Sequence, residues 1–286
     1  MTDTFSLGDT RVRIDGEGPD VVLVHGVGCD LHMWDDLFPG LADRYRVIRY
    51  DTLGHGETSL PSPDITLKDY ADQLDAVRSG LGLSRFALVG FSMGVPISQL
   101  FAIGNSADLA GLVLMSGVYD RAPDQVKAIQ DRIVLARSEG TSALMEAALE
   151  RWLSPEFRAA RPDAEARIRQ RFADNPPENF LTAYKIFAEA DPWVVGKIGA
   201  ITCPTLTTTG EDDPGSRPSM SRAMADEIPN ARYAGMPGLR HMPMVERPDV
   251  VRDLLLGFLD GLPRDGVVWS RTGLPQAHLL CRSARR

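Results

Sequence analysis

The stretch Leu88-Val89-Gly90-Phe91-Ser92-Met93-Gly94 constrains what this chain can fold into more than any other, because an apolar run stops there at a serine bracketed by two glycines. Read as strand, sharp turn and helix, the pattern lifts one hydroxyl clear of the backbone at the top of a sheet. A side chain at either glycine would collide with the neighbouring strand or helix where the turn is tightest. Five residues of this kind also arise by chance, so the flanks decide. Phe86-Ala87-Leu88-Val89 reads as a short buried strand, and Val95, Ile97, Leu100 and Phe101 follow the serine at helical spacing. Pro96 fits because it falls in the first helical turn.

The rest of the chain repeats this alternation. Residues 5–15 read as two short strands turned at Gly8-Asp9, an antiparallel edge. Further strands are read at Val21–Val24, Tyr45–Tyr50, Leu112–Met115, Pro204–Thr209 and Arg232–Gly235, with helices at Trp34–Leu41, Leu67–Leu81, Pro218–Ile228 and Asp249–Leu259. Short apolar strands separated by helices predict an α/β fold with a mostly parallel, eight-stranded sheet covered on both faces. The alternation breaks after Tyr119. Candidate helices at Gln125–Ser138, Thr141–Leu153, Pro162–Phe172 and Pro177–Glu189 make residues 121–195 a helical cap, inserted into a core formed by 1–120 and 196–262. Residues 263–286 carry five arginines against one aspartate without clear periodicity, and read as a poorly ordered or loosely docked basic tail.

Composition narrows the function classes. With 286 residues, 43% of them hydrophobic, the chain can bury a full core. A net charge of -8 argues against a nucleic-acid or anionic-membrane partner, so a small-molecule substrate is expected. No run approaches the roughly 18 apolar residues of a membrane span, and the acidic start has no apolar core, so a cytoplasmic location is expected. Cys29, Cys203 and Cys281 are far apart, with neither disulfide nor metal-ligand spacing. His25-Gly26-Val27-Gly28 is not a dinucleotide fingerprint, because Leu31 stands in the third glycine's place, and no phosphate loop is present. No cofactor and no metal are expected; the oligomeric state is left open.

A serine hydroxyl needs a base within hydrogen-bond reach, and that base needs a carboxylate to fix its tautomer. His241 is the candidate, in a loop after the last strand and before the last helix, ahead of His25, His32, His55 and His278. The acid should follow the strand that ends at Thr209, where Gly210-Glu211-Asp212-Asp213-Pro214 offers three carboxylates. Position alone does not separate Asp212 from Asp213, and Asp120 is a less favoured substitute. For an oxyanion, the amides of Met93 and Val27 are the candidate donors.

Together these residues resemble the α/β-hydrolase family from about Phe5 to Leu262, with the motifs in the family's order. In that pattern the acid stands three residues after the glycine ending its strand, which carries the role onto Asp213. Asp30-Leu31-His32-Met33-Trp34-Asp35, Arg49-Tyr50-Asp51, the serine turn and Glu150-Arg151-Trp152-Leu153-Ser154-Pro155 are similar to the 3-oxoadipate enol-lactone hydrolases. That resemblance implies ester or lactone cleavage through an acyl-enzyme, with Trp152 hanging from the cap into the pocket and Trp34 near its floor. Cap arginines such as Arg132, Arg137 and Arg151 could meet a substrate carboxylate. The sequence departs from the family's usual pattern at Leu53, where arginine is common, and at Val95 and Arg240, where glycine is common. Two other readings stand beside this one: a carbon–carbon bond hydrolase on the same triad, and a weakly catalytic ligand-binding protein on the same scaffold.

Overall fold

The computed structural model describes residues 2–262. Eight strands form one sheet in the order β1-β2-β4-β3-β5-β6-β7-β8, where β1 is Thr2–Leu7, β2 Thr10–Asp15, β3 Asp20–Val24, β4 Arg46–Tyr50, β5 Phe86–Phe91, β6 Leu109–Met115, β7 Thr205–Gly210 and β8 Ala231–Met236. The β1–β2 hairpin joins through antiparallel pairing of β2 with β4, and every other pairing is parallel. In β5 and β7 every residue is buried. Successive side chains point to opposite faces, so both faces of the sheet are covered there. Helices Leu67–Gly80 and Gly94–Asn105 pack together, the latter on β5, while Pro218–Glu227 lies on β7 and β8. Helix Pro248–Leu259 sends Phe258 against Gly111 of β6.

The expected helix Trp34–Leu41 is instead two short pieces, a 3-10 turn Leu31–Trp34 and a helix Phe38–Ala42. Pro39 cannot donate to the preceding turn, so the helix restarts with it in its first turn. Thr141–Leu153 likewise divides into a 3-10 turn Thr141–Leu144 and a helix Met145–Trp152. Helices Pro155–Ala160, Asp191–Val194 and Pro243–Glu246, each opened by proline in the first turn, complete the set that the sequence did not show. They are too short to display a helical period.

Between β6 and β7 the chain is helical. Helices Pro123–Glu139, Pro162–Asp174 and Pro177–Ala188 accompany the pieces already named. Cys29 and Cys203 are buried free thiols. Among the described residues no helix is long and apolar enough to cross a membrane, and no group of three or more His, Cys, Asp or Glu side chains could hold a metal ion. The basic segment 263–286 and Cys281 lie outside the described residues.

Candidate active site

Ser92 sits at the junction of β5 and the helix Gly94–Asn105 with φ 53°, a left-handed backbone that a serine adopts only under constraint. Its N–H donates to the Met115 carbonyl of β6 at 3.0 Å, which pins the turn to the sheet. The two flanking glycines permit the close approach. A Cβ on Gly94 would collide with the Val24 carbonyl of β3, and one on Gly90 would strike the Gly94 carbonyl. Gly26 serves the same purpose from the β3 loop, because a Cβ there would stand 2.9 Å from that of Ser92.

Three chain segments meet at this turn. The Ser92 hydroxyl lies 3.2 Å from His241 Nε2, and His241 Nδ1 lies 2.7 Å from Asp213 Oδ2. The hydrogen-bond chain runs serine, histidine, aspartate, with His241 in the loop after β8 and Asp213 in the turn after β7. Asp213 is buried, and its Oδ1 accepts the N–H groups of Gly215 at 2.8 Å and Ser216 at 3.0 Å. Burial pushes its carboxyl up, but the facing His241 charge, the bond to that ring and the two amides outweigh burial. The net direction is below the ordinary carboxylate value. Asp212 and Asp120 are exposed and make no such contact.

The two candidate anion donors come from separate segments. Val27 lines the cavity beside Ser92, and Met93 stands at the N-terminal end of the helix Gly94–Asn105. Among the described residues no protein acceptor takes the N–H of either. The loop carrying Val27 is held by two buried imidazoles. His25 Nδ1 donates to the Gly26 carbonyl at 2.8 Å while its Nε2 accepts the Thr52 N–H at 2.9 Å. His55 Nε2 accepts the Gly28 N–H at 3.1 Å. An imidazolium has no lone pair for either acceptance, so this loop requires both rings neutral.

Burial, chiefly, lowers both histidines, His55 to about 3 from an ordinary 6.5. Below pH 6.5 the unfolded chain therefore binds protons that the folded chain refuses. Stability is complete above that value and falls as pH drops toward 3. Urea unfolding at pH 6.5 and 5 should show a loss of roughly 1–2 kcal/mol from His55 alone, at about 1.4 kcal/mol per proton per pH unit. His55→Gln should flatten that slope. An unchanged slope would show that the ring does not titrate in this way.

A cavity of about 260 Å³ opens over Ser92 and His241. Its far wall comes from the helical segment between β6 and β7, through Ile129, Arg132, Ala148, Arg151, Trp152 and Tyr184. Trp152 faces the His241 ring at 6.4 Å between centroids and 26° between planes. Trp34 is placed differently. It is fully buried behind Phe91, edge-on at 6.2 Å, and it is Phe91 that reaches the cavity. Arg49 is likewise buried structure, bonded to Asp15 at 2.6 Å and Asp35 at 2.7 Å.

The arginines sort themselves by their partners. Arg137 is exposed and away from the cavity, and Arg121 reaches the wall but spends its charge on Asp191 at 2.9 Å. Arg132 donates to the Tyr184 hydroxyl at 2.7 Å and meets no carboxylate among the described residues; nor does Arg151. Burial, and next the charge of Arg132, pull Arg151 below its ordinary value. Sequence reasoning missed Tyr184, Phe172 and Phe180 as wall residues. Their helices show apolar periodicity, but periodicity does not say which apolar side chain borders a cavity.

The family model described as the alpha/beta hydrolase family matches residues 21–254. An (E)-2-((N-methylformamido)methylene)succinate hydrolase of Acinetobacter baylyi is 27% identical over 92% of this chain and 100% of its own length. The crystal structure of an enol-lactonase from Burkholderia xenovorans superposes with TM-score 0.82 at 27% identity, over 90% of this chain and 100% of that one. A malate-bound thermophilic esterase from Thermogutta terrifontis gives TM-score 0.80 at 30% identity, over 88% and 93% of the two chains. With the sheet, the serine turn and the order of the three polar side chains already in place, these matches show that the chain belongs to the α/β hydrolase family.

Proposed function

We propose that this protein is a serine hydrolase that needs no cofactor and cleaves a small, carboxylate-bearing ester or lactone through an acyl-enzyme. The observation that carries the reading is the hydrogen-bond chain from Ser92 through His241 to Asp213, opening into a cavity whose far wall holds two arginines without carboxylate partners. His241 Nε2 takes the Ser92 proton as Oγ attacks the carbonyl carbon, and the N–H groups of Val27 and Met93 receive the developing oxyanion. Collapse of the tetrahedral intermediate expels the alkoxide, protonated by His241. Water then attacks the acyl-enzyme by the same relay, releasing the acid and restoring Ser92. The segment 121–195 acts as the cap that closes the pocket and selects the substrate, with Trp152 as a wall residue.

Arg132 and Arg151 supply the substrate class. Two like charges side by side in a half-buried wall repel each other, and a bound carboxylate supplies the missing counter-charge. Quantitative labelling by a fluorophosphonate, followed by a panel of esters and lactones, tests the chemistry. A folded protein that neither labels nor turns over any of them would overturn it and favour the ligand-binding reading, whereas turnover confined to carbon–carbon substrates would favour that alternative.

Arg151→Met, assayed on a half-ester of a dicarboxylic acid and on a neutral ester of equal length, tests the substrate class. Charge-assisted bonds are worth about 1.5–3 kcal/mol, so kcat/KM for the half-ester should fall roughly tenfold to a hundredfold while the neutral ester changes little. Equal losses on both would remove the carboxylate subsite.

A further inference from the structure

The loop that carries His241 is fastened to the last turn of helix Met145–Trp152 by bonds from both sides of the histidine. The Met242 N–H donates to the Trp152 carbonyl at 3.1 Å. Glu246, at the end of helix Pro243–Glu246 and 7% exposed, accepts the Ser154 N–H on Oε1 at 2.8 Å and the Arg240 N–H on Oε2 at 2.8 Å. The Arg240 guanidinium donates to the Glu150 carbonyl and approaches the Leu153 carbonyl at 3.4 Å. These carbonyls belong to a helix end, where the backbone acceptors have no partner within the helix. The same turn presents Arg151 and Trp152 to the cavity, and Trp152 stacks on His241.

We propose that Glu246 and Arg240 form a latch that holds His241 and the Arg151–Trp152 wall as one rigid unit, which makes both of them positioning residues for the reaction set out under Proposed function. One carboxylate joins two backbone amides far apart in sequence, and it does so because it is acceptor-only. A glutamine of the same size can accept one N–H but turns a donor toward the other. Arg240 holds the helix end from the residue next to His241, so movement of that turn is transmitted to the ring through one peptide unit. The Ser92–His241 contact is already 3.2 Å long, and an error of about 1 Å in such geometry can cost about a hundredfold in rate.

The test compares full-length Glu246→Gln, Arg240→Ala and Arg240→Lys with the parent, using a half-ester of a dicarboxylic acid. Glu246→Gln should lower kcat by about tenfold to a hundredfold and raise KM as well, because base and wall shift together. Arg240→Ala should lower kcat severalfold, and Arg240→Lys should recover most of it by donating to the Glu150 carbonyl. A loss of stability alone would leave the kcat of the folded fraction unchanged and give no rescue by lysine; either result would overturn the latch. Amide hydrogen exchange reads it without any substrate. Exchange at Ser154 and Met242 should quicken together in Glu246→Gln, and unchanged exchange at both would overturn the proposal. Should the parent hydrolyse no ester, the functional reading falls while this exchange measurement still decides the latch. If Glu246→Gln does not fold, the half-buried Arg240 variants carry the test.

Discussion

Ser92→Ala is expected to abolish fluorophosphonate labelling and to lower kcat on the best ester by about 10⁵- to 10⁶-fold, the scale seen when a triad nucleophile is removed. The substitution deletes one oxygen from a nearly closed position and changes neither the flanking glycines nor the bond from the residue 92 N–H to Met115. The left-handed φ of 53° is as costly for alanine as for serine, so the circular dichroism spectrum and melting behaviour should match the parent. Intact-mass analysis after probe treatment provides the direct reading. Retained stoichiometric labelling in the folded variant would place the nucleophile elsewhere and dismantle the proposed mechanism. The residual rate also has a physical source, since the Val27 and Met93 amides can still polarise a carbonyl for attack by water.

Asp213→Asn should cost about 10⁴-fold in kcat with little change in KM, because the buried carboxylate fixes which ring nitrogen of His241 carries the proton. An asparagine can still accept the Gly215 and Ser216 amides through its oxygen, which leaves its NH₂ facing Nδ1. A donor there turns the ring to the tautomer whose Nε2 bears hydrogen, and that nitrogen can no longer take the serine proton. Asp212→Asn provides the control, since Asp212 is exposed and its rate should stay within a factor of about two, consistent with the small effects of surface substitutions. The same carboxylate has a pH signature. Its folded pKa lies below the ordinary value, so its contribution to stability is present above the ordinary carboxylate range and is lost as pH falls through the lowered value. A pH-unfolding profile in which Asp213→Asn kept the parent's acid limb would contradict this assignment.

Much of this architecture was legible in the chain. The strands could be read because a sheet covered on both faces favours apolar and β-branched residues, and β5 is a nearly continuous apolar run while β7 is rich in β-branched threonine. Ser92 could be read from the glycine-bracketed turn at the end of β5, and His241 from its place in the loop between β8 and the last helices, although its neighbour Arg240 departs from the family's pattern. The choice between Asp212 and Asp213 depends on where a Cβ points as the chain leaves Gly210, and residue types do not report direction. There the family's spacing pointed to Asp213, the residue that lies against His241 Nδ1, where residue types alone left a tie. Trp34 shows the converse. The family resemblance implied a place near the pocket floor, yet it is Phe91 from β5 that lines the cavity, with Trp34 buried edge-on against it. Glu246 left no signal and Arg240 showed only as a departure from the family's pattern, because their partners are backbone atoms of residues 150–154 and of residue 240, which residue types do not specify.

The pairing of β6 with β7 has a consequence in time. The two strands lie side by side, yet the whole helical segment is made between them, and both Asp213 and His241 follow it. As the chain leaves the ribosome, the turn bearing Ser92 can form against β3 and β6 early, while Asp213 and His241 do not yet exist. Loop-closure entropy makes the β6–β7 register a late event, and transiently exposed strand edges favour aggregation. Under the proposed mechanism, a nascent chain arrested before residue 241 would therefore present a shaped but inert serine, and reactivity would arrive abruptly with the last loop rather than growing with length.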